Sequence, residues 1–294
     1  MSFRVAVAAL VGVTLVWGTT FVVVKGALDV LPVPLLLALR FSLAAAFFVG
    51  VPFRRAALRP ALVLGLLAFA GFATQTIGLS LTTASKAAFI TGLSVVLTPM
   101  VAAAALRARV PGRAWAAAAL AVAGLGLMTL RGGAATPPNA GDVWLLGTAL
   151  AYAVYIVYLG RVADAAPALS LAGMQHLPMA ALAWGWALPH LGTLEGVPWE
   201  AYAAVVYLAL VATAGVAIVQ TVAQRVVPAH LAALIFVLEP VFAAGFAYVL
   251  LDERLGPAGL AGAALVLVAM LVAELRPKRR APAGRPAGAP PARR

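Results

Sequence analysis

Isolated polar side chains inside long apolar runs are the residues of this sequence that could carry chemistry. Glu239 is the only carboxylate deep within such a run. A charged side chain at the centre of a bilayer costs about 3 kcal/mol on an insertion scale. The carboxyl is therefore expected to face a cavity, where it could bind a substrate or a proton. The alternative is a structural hydrogen bond to a neighbouring helix.

Amides and aromatic rings form a second set of candidates. Gln75 and Gln220 are predicted either to contact a substrate or to make hydrogen bonds between helices. Tyr152 and Tyr155 are three residues apart, so they lie near one face of a helix. Together with Trp17 they fall in the middle of apolar runs, so they are predicted either to form a cavity wall or to belong to the aromatic belt at a membrane interface.

Two prolines and one arginine occupy three further places within apolar runs. Pro99 and Pro240 each remove a backbone hydrogen bond, so each is predicted to mark a hinge or a static kink. Arg40 lies about seven residues inside a run, near enough to its end to snorkel toward the surface. Snorkelling or structural pairing is favoured here over contact with a substrate carboxylate.

Metal and cofactor chemistry finds little support in the sequence. Cysteine is absent, and His176, His190 and His230 are far apart without ligand spacing. No Walker motif is present, so ATP is not expected to be the direct energy source. The sequence therefore predicts no metal site, no cofactor and no enzymatic activity.

The elements that position these residues are predicted to be transmembrane helices. The chain is 64% apolar and only 10% charged, whereas a soluble domain carries about 25% charged residues. A helix needs about 20 residues to cross the hydrocarbon. Ten stretches qualify as spans: 5–24, 33–52, 60–80, 87–106, 113–130, 142–160, 168–188, 199–222, 230–251 and 257–275.

The distribution of basic residues predicts the orientation. If the N-terminus is cytoplasmic, sixteen Lys and Arg residues lie inside and four lie outside. Such a bias places both termini in the cytoplasm and makes a nucleic-acid partner improbable. The basic segment 276–294 is predicted to be a disordered tail. It is expected either to contact anionic lipid or only to fix the topology.

Two halves of the sequence can be aligned with each other. A shift of 135 residues places Asp29 on Asp164 and Trp17 on Tyr152. A shift of 145 places Gln75 on Gln220, and a shift of 141 places Pro99 on Pro240. Each half contains an odd number of spans, so the second half must enter from the opposite face. The prediction is an all-α integral membrane protein built as two inverted five-helix repeats, 1–131 and 142–275.

At this point the sequence resembles the drug/metabolite transporter superfamily, specifically its EamA-domain family. The motifs that carry the resemblance are Trp17-Gly18-Thr19-Thr20-Phe21, Leu39-Arg40-Phe41, Ala87-Ala88-Phe89, Leu97-Thr98-Pro99 and Leu238-Glu239-Pro240, with Asp252-Glu253-Arg254-Leu255 after them. The resemblance implies a central substrate cavity between the repeats and, in many bacterial members, export of amino acids or related metabolites. An acidic residue that often follows span 4 of the family is absent from residues 106–110.

These observations combine into one functional hypothesis, a secondary transporter of small metabolites in a bacterial inner membrane, with the lipid bilayer and a small-molecule substrate as partners. A channel or sensor, or a membrane-embedded enzyme, are the alternatives. Spans 5 and 10 are almost wholly small and aliphatic, which predicts peripheral scaffolding or a homodimer contact. The predicted substrate-binding residues are Trp17, Thr20, Gln75, Phe89, Ser94, Tyr152, Tyr155, Gln220 and Glu239.

Overall fold

The computed structural model describes residues 1–107, 109–130, 138–251 and 256–274. Within these ranges the chain is helical and contains no strand. Its helices are α1 (Phe3–Leu28), α2 (Val33–Ala46), α3 (Arg55–Leu81), α4 (Ala84–Gly92), α5 (Ser94–Leu106), α6 (Gly112–Leu130), α7 (Ala140–Val162), α8 (Ala168–Met174), α9 (His176–Ala187), α10 (Trp199–Ala209), α11 (Val216–Ala223), α12 (Ala229–Phe236), α13 (Glu239–Leu251) and α14 (Pro257–Glu274). The predicted tail 276–294 and the Asp252–Leu255 motif lie outside the described residues.

Each predicted span overlaps at least one of these helices. Among the described residues, five helical stretches are long and apolar enough to cross a bilayer: Phe3–Leu28, Arg55–Leu81, Lys86–Leu106, Ala140–Val162 and Trp199–Ala223. The remaining helices are shorter, so a count of ten crossings stays a prediction. The second predicted span is one example, because its helix ends at Ala46 and a turn follows, in which Gly50 has a φ of +94°.

Apolar side chains cover the outside of the helix bundle as well as its core. Leu15, Leu66, Leu150 and Leu271 are 45–64% exposed, while leucines such as Leu36 and Leu64 are fully buried. Water-soluble proteins rarely expose a continuous apolar surface of this kind. The exterior therefore suits the hydrocarbon of a bilayer.

Helices from the first half of the chain pack mainly on helices from the second half. α3 packs along α7, and α1 packs against α11. In the predicted repeats α1 corresponds to α7, and α3 corresponds to α10 and α11. The contact of α3 with α7 is therefore the counterpart of the contact of α11 with α1. α2 with α9 and α6 with α14 are contacts that an exchange of the two repeats leaves in place. The interface between the halves therefore has the pattern of a two-fold arrangement.

Glycine permits the closest of these approaches. A Cβ added at Gly71 would overlap the ring of Tyr152 on α7, and one at Gly124 would lie 2.7 Å from the carbonyl oxygen of Gly262. Small residues of this kind let helices approach closely in lipid, where dispersion contacts stabilise packing. Gly71 thereby fixes how near the Tyr152 ring comes to α3.

Candidate functional site

A cavity at the contact between the two halves is the candidate functional site. Its volume is about 90 Å³, several times the space that one ordered water needs. Apolar groups form most of its wall, with a small number of polar and charged groups among them. The polar and aromatic residues that line it are Trp17, Thr20, Phe21, Arg40, Phe72, Gln75, Thr76, Thr91, Ser94, Tyr152, Tyr155, Gln175, His176, Thr213, Gln220, Phe236 and Glu239.

Helix interruptions converge on this cavity from four places in the chain. Leu93 separates α4 from α5, Gln175 separates α8 from α9, and Val237–Leu238 separates α12 from α13. Between α10 and α11, residues 210–215 form a π-helix. Interrupted helices leave backbone groups without intrahelical partners, and π-helical turns are frequent at functional sites. In membrane transporters such interruptions are typical of binding sites.

Arg40 is placed in the wall of the cavity by α2. It is 3% exposed, and its Nε donates a hydrogen bond of 2.7 Å to Thr213 Oγ1 in the π-helix. Its guanidinium carbon lies 4.5 Å from the centre of the Phe72 ring, a cation–π contact. The predicted snorkelling is therefore wrong, because the side chain points into the protein rather than along the helix toward a surface.

Glu239 is the first residue of α13 and contributes the carboxyl group of the cavity wall. Among the described residues its carboxyl group takes part in no ion pair within 4 Å and in no hydrogen bond. The predicted structural hydrogen bond to a neighbouring helix is thus not formed in this conformation. The carboxyl remains available to a ligand or a proton.

Trp17 connects α1 to the π-helical segment. Its indole Nε1 donates a hydrogen bond of 3.2 Å to the carbonyl oxygen of Ala212, and its ring meets Phe236 edge-on at 5.1 Å. A π-helical turn shifts the backbone ladder, so a carbonyl there can accept from a side chain. Trp17 therefore serves both as an apolar wall and as a fixed partner of the irregular backbone.

Tyr152 connects α7 to α3 in the corresponding manner. Its hydroxyl donates a hydrogen bond of 3.3 Å to Gln75 Oε1, and its ring meets Phe72 edge-on at 5.9 Å. Trp17 and Tyr152 are the residues that the sequence alignment of the two halves places on each other. Each one reaches from the first helix of its half to a helix of the opposite half.

Three further hydrogen bonds order the wall. The Tyr155 hydroxyl donates a hydrogen bond of 2.9 Å to Gln175 Oε1 at the α8–α9 interruption. Gln220 Nε2 donates to Gln224 Oε1 at 2.9 Å, and Gln224 Nε2 donates to the Ile156 carbonyl at 2.8 Å. Gln220 therefore belongs to an interhelical network while it also lines the cavity.

The structure brings most of the predicted residues together. Phe89 is an exception, because it packs with two apolar clusters and does not line the cavity. Pro99 is another, because it lies inside α5 and the interruption occurs earlier, at Leu93. The residues that do line it are Trp17, Thr20, Gln75, Ser94, Tyr152, Tyr155, Gln220, Glu239 and Pro240. Lining a cavity fixes their position, and substrate binding by them stays a prediction.

Pro240 differs from Pro99 in its place in the helix. It is the second residue of α13, where a backbone N–H would have no intrahelical acceptor, so proline there carries little cost. The interruption at Val237–Leu238 directly precedes it. A kink is thus built beside Glu239 without a proline in the interior of a helix.

Sequence reasoning missed part of the wall. Gln175 and His176 are almost fully buried and line the cavity from the seventh predicted span, and His176 stacks on Phe48 at 5.5 Å. Thr213 was missed as well. For Gln175 and His176 the available signal was a pair of adjacent polar residues within an apolar run. For Thr213 there was none, because a π-helical turn leaves no sequence pattern of its own. Within the described residues no group of three possible metal ligands is present.

Comparison with known proteins adds to this geometry. The model of the EamA-like transporter family matches the chain twice, at residues 4–130 and 139–274. An uncharacterized transporter from Archaeoglobus fulgidus is 30% identical over 265 residues, which cover 90% of this chain and 84% of that protein. One protein crystal structure is similar with a TM-score of 0.77 at 22% identity, covering 93% of this chain and 98% of that one. At that identity the similarity concerns the fold.

Proposed function

Since the chain belongs to the EamA-like transporter family, we propose that it is a secondary transporter that exports small metabolites, such as amino acids or related compounds, by alternating access. Membrane transport follows from the family, and the substrate class, the direction and the mechanism are the proposal. The observation that carries it is the cavity between the halves, at which helix interruptions meet one arginine and one carboxyl group.

The composition of the cavity wall supports a small organic substrate. Small-molecule sites are mostly apolar, with a few polar groups that fix orientation. Here Trp17, Phe72 and Phe236 supply apolar surface, while Arg40 and Glu239 supply opposite formal charges. A compound with an apolar portion and at least one polar head group matches this wall.

Alternating access is supported by the relation between the two halves. The family model matches each half separately, and the packing of α1 on α11 corresponds to the packing of α7 on α3. Inverted repeats permit two conformations of similar energy, one open to each side of the membrane. We therefore propose two inverted five-helix repeats with the substrate site between them.

The proposed location is a bacterial inner membrane with both termini in the cytoplasm. The excess of basic residues in the loops on one side supports this orientation. Export rather than uptake is the direction implied by the resemblance to bacterial members of the family.

Counterflow in proteoliposomes tests the proposal. Vesicles loaded with millimolar unlabelled leucine should transiently accumulate external radiolabelled leucine, because a carrier exchanges substrate faster than it returns empty. A panel of other metabolites is run in parallel. Trp17→Ala, in the cavity wall, should lower the rate, whereas Trp144→Ala, at a side chain 44% exposed on the outside, should not.

The alternatives give different results in the same vesicles. A channel would equilibrate label without transient accumulation, and an enzyme would convert the metabolite chemically. Absence of counterflow for every compound in the panel would contradict the carrier.

A further inference from the structure

We infer that Arg40 is the anchor for a carboxylate group of the transported compound. The inference rests on the proposed function, since it assigns the charged head group of the substrate within the same cavity. It departs from the sequence pattern, which favours snorkelling or structural pairing for this arginine.

The first support is the burial of a cation without a counter-ion. Arg40 is 3% exposed and lines the cavity, and no carboxylate lies within 4 Å of it among the described residues. Glu239, which lines the same cavity, forms no ion pair with it. A buried charge without an opposite charge is costly. An anionic group from a bound molecule would remove that cost.

The second support is the orientation of the guanidinium group. The Thr213 hydroxyl donates a hydrogen bond to the Leu208 carbonyl oxygen, with an O–O distance of 2.7 Å. The Thr213 oxygen is therefore left to accept a hydrogen bond from Arg40 Nε, with an N–O distance of 2.7 Å. The guanidinium carbon lies over the Phe72 ring, 4.5 Å from its centre. The π-helix and α3 thus hold the group from two sides.

The terminal amino groups remain for a ligand. Within the described part of the chain, Nη1 and Nη2 of Arg40 donate no hydrogen bond. Arginine binds carboxylates through two parallel hydrogen bonds, which requires a guanidinium that is already oriented. The contacts with Thr213 and Phe72 supply that orientation.

A carboxylate fits this wall better than a phosphate. Arg40 is the one lysine or arginine among the described residues that line the cavity, and Glu239 adds a carboxyl group to the same wall. A phosphate monoester carries a charge of about −1.5 to −2 at neutral pH. A single cation would leave part of that charge uncompensated, and an ionised Glu239 would repel it.

Ligand-induced stabilisation of the purified protein in detergent tests the assignment. The probes are leucine, 4-methylpentanoate, leucinamide and 3-methylbutyl phosphate, which share a branched apolar chain and differ in the head group. We expect both carboxylates to raise the Tm in a concentration-dependent manner. Leucinamide and the phosphate should bind at least about tenfold more weakly, as expected for loss of hydrogen bonds to a charged group.

Three variants complete the experiment. Arg40→Gln should abolish the preference for acid over amide, and Arg40→Lys should reduce it, because lysine keeps the charge without the planar fork. Arg225→Gln is the matched control: Arg225 bonds the Ala163 and Ala166 carbonyls at the end of α7, away from the cavity, so its variant should keep the preference. If Arg40→Gln does not fold, the inference is tested by Arg40→Lys and by the difference in Tm shift between the acids and the amide on the wild-type protein.

Four results would each overturn the inference. On the wild-type protein these are equal stabilisation by acid and amide, no stabilisation by either acid, and tighter binding of the phosphate than of the acids. The fourth is an unchanged preference for acid over amide in Arg40→Gln. The assay measures binding without transport, so its failure is distinct from that of the carrier. Acid-specific binding without counterflow would leave the anchor in place and refute the transport mechanism. Counterflow without acid-specific binding would support the transport mechanism and refute Arg40 as the carboxylate anchor.

Discussion

Arg40 and Glu239 bring opposite formal charges into one mostly apolar cavity, and neither forms an ion pair among the described residues. Charged groups at membrane depth are costly, so they are retained where they face a cavity or a ligand. Arg40 is held by Thr213 and Phe72, whereas the Glu239 carboxyl has no hydrogen-bond partner in the same part of the chain. The two residues are therefore expected to differ in role, with a fixed anchor on α2 and an adaptable carboxyl on α13.

Glu239→Gln should lower counterflow while the protein still inserts into the membrane. The amide keeps the shape of the side chain but can neither carry a negative charge nor exchange a proton. The expected loss is roughly tenfold or more, the effect of removing a hydrogen bond to a charged group. The pH dependence of transport should also become flatter, with Arg40, Tyr152, Tyr155 and His176 as the remaining titratable groups among the described residues that line the cavity.

Normal transport by Glu239→Gln across the pH range would refute a role in binding substrate or proton. A lower abundance with normal activity per molecule would instead identify a structural carboxyl. The amount of variant in the membrane fraction reports insertion, and the monodispersity of the purified variant reports folding, so the two outcomes are separable.

The candidate site was predictable from the sequence where a polar or aromatic residue interrupts an apolar run. The lining residues that could be predicted in this way are Trp17, Gln75, Tyr152, Gln220 and Glu239. For Arg40 the sequence left snorkelling and structural pairing open, because distance along the helix does not reveal which face of α2 is buried; the structure shows the pairing, with Thr213. The guanidinium position depends on Thr213, whose π-helical backbone no spacing rule predicts.

At the scale of elements, the helix interruptions and the close glycine contacts shape the cavity together. Gln175 ends α8 and accepts the Tyr155 hydroxyl, and its backbone lies against Gly65 of α3. Pro99, predicted to mark a hinge or a kink, lies inside α5, and the interruption of that span lies before α5, at Leu93. Proline can be accommodated inside a membrane helix when neighbours satisfy the freed carbonyl, so its presence alone does not locate an interruption.

Gly65→Ala should destabilise the protein by about 1–3 kcal/mol, the usual cost of overpacking a filled interior. The new methyl group would overlap the Gln175 carbonyl oxygen and lie 2.5 Å from Pro178 Cγ. Because the backbone at Gln175 would have to move, the Gln175 side chain and its hydrogen bond with Tyr155 should shift as well. Thermal unfolding of the purified protein gives the stability, and counterflow gives the effect on transport.

Gly12→Ala is the matched control, because Gly12 is exposed on α1 and a Cβ there meets nothing within 4 Å. Its Tm should remain close to that of the wild type. Equal stability of the two variants would show that α3 and the α8–α9 interruption do not approach as closely as described.

At the scale of the whole molecule, the account requires two halves that enter the membrane from opposite sides. The helical composition and the membrane class follow from the apolar sequence. The number of crossings does not follow, because several helices are short and, in the part of the chain that the structure describes, only five stretches meet the length and composition of a span. The packing across the halves, α1 on α11 and α7 on α3, likewise becomes visible only in three dimensions.

The topology is tested by reporter fusions after residues 57, 135 and 276. The excess of basic residues predicts a cytoplasmic signal at 57 and 276 and a periplasmic signal at 135. A cytoplasmic signal at 135 or a periplasmic signal at 276 would contradict two repeats of five spans each.

Single-cysteine labelling tests the central claim, that the cavity between the halves is the transport site, most directly. The chain has no native cysteine, so each introduced thiol reports alone. Cysteines at positions 17, 75, 152 and 220 should react with a small polar thiol reagent, and the compound with the fastest counterflow should slow that reaction. Leu120 on α6 and Leu265 on α14 do not line the cavity, so cysteines there should show no protection. Protection at 120 and 265 with none at 17, 75, 152 and 220 would contradict the account.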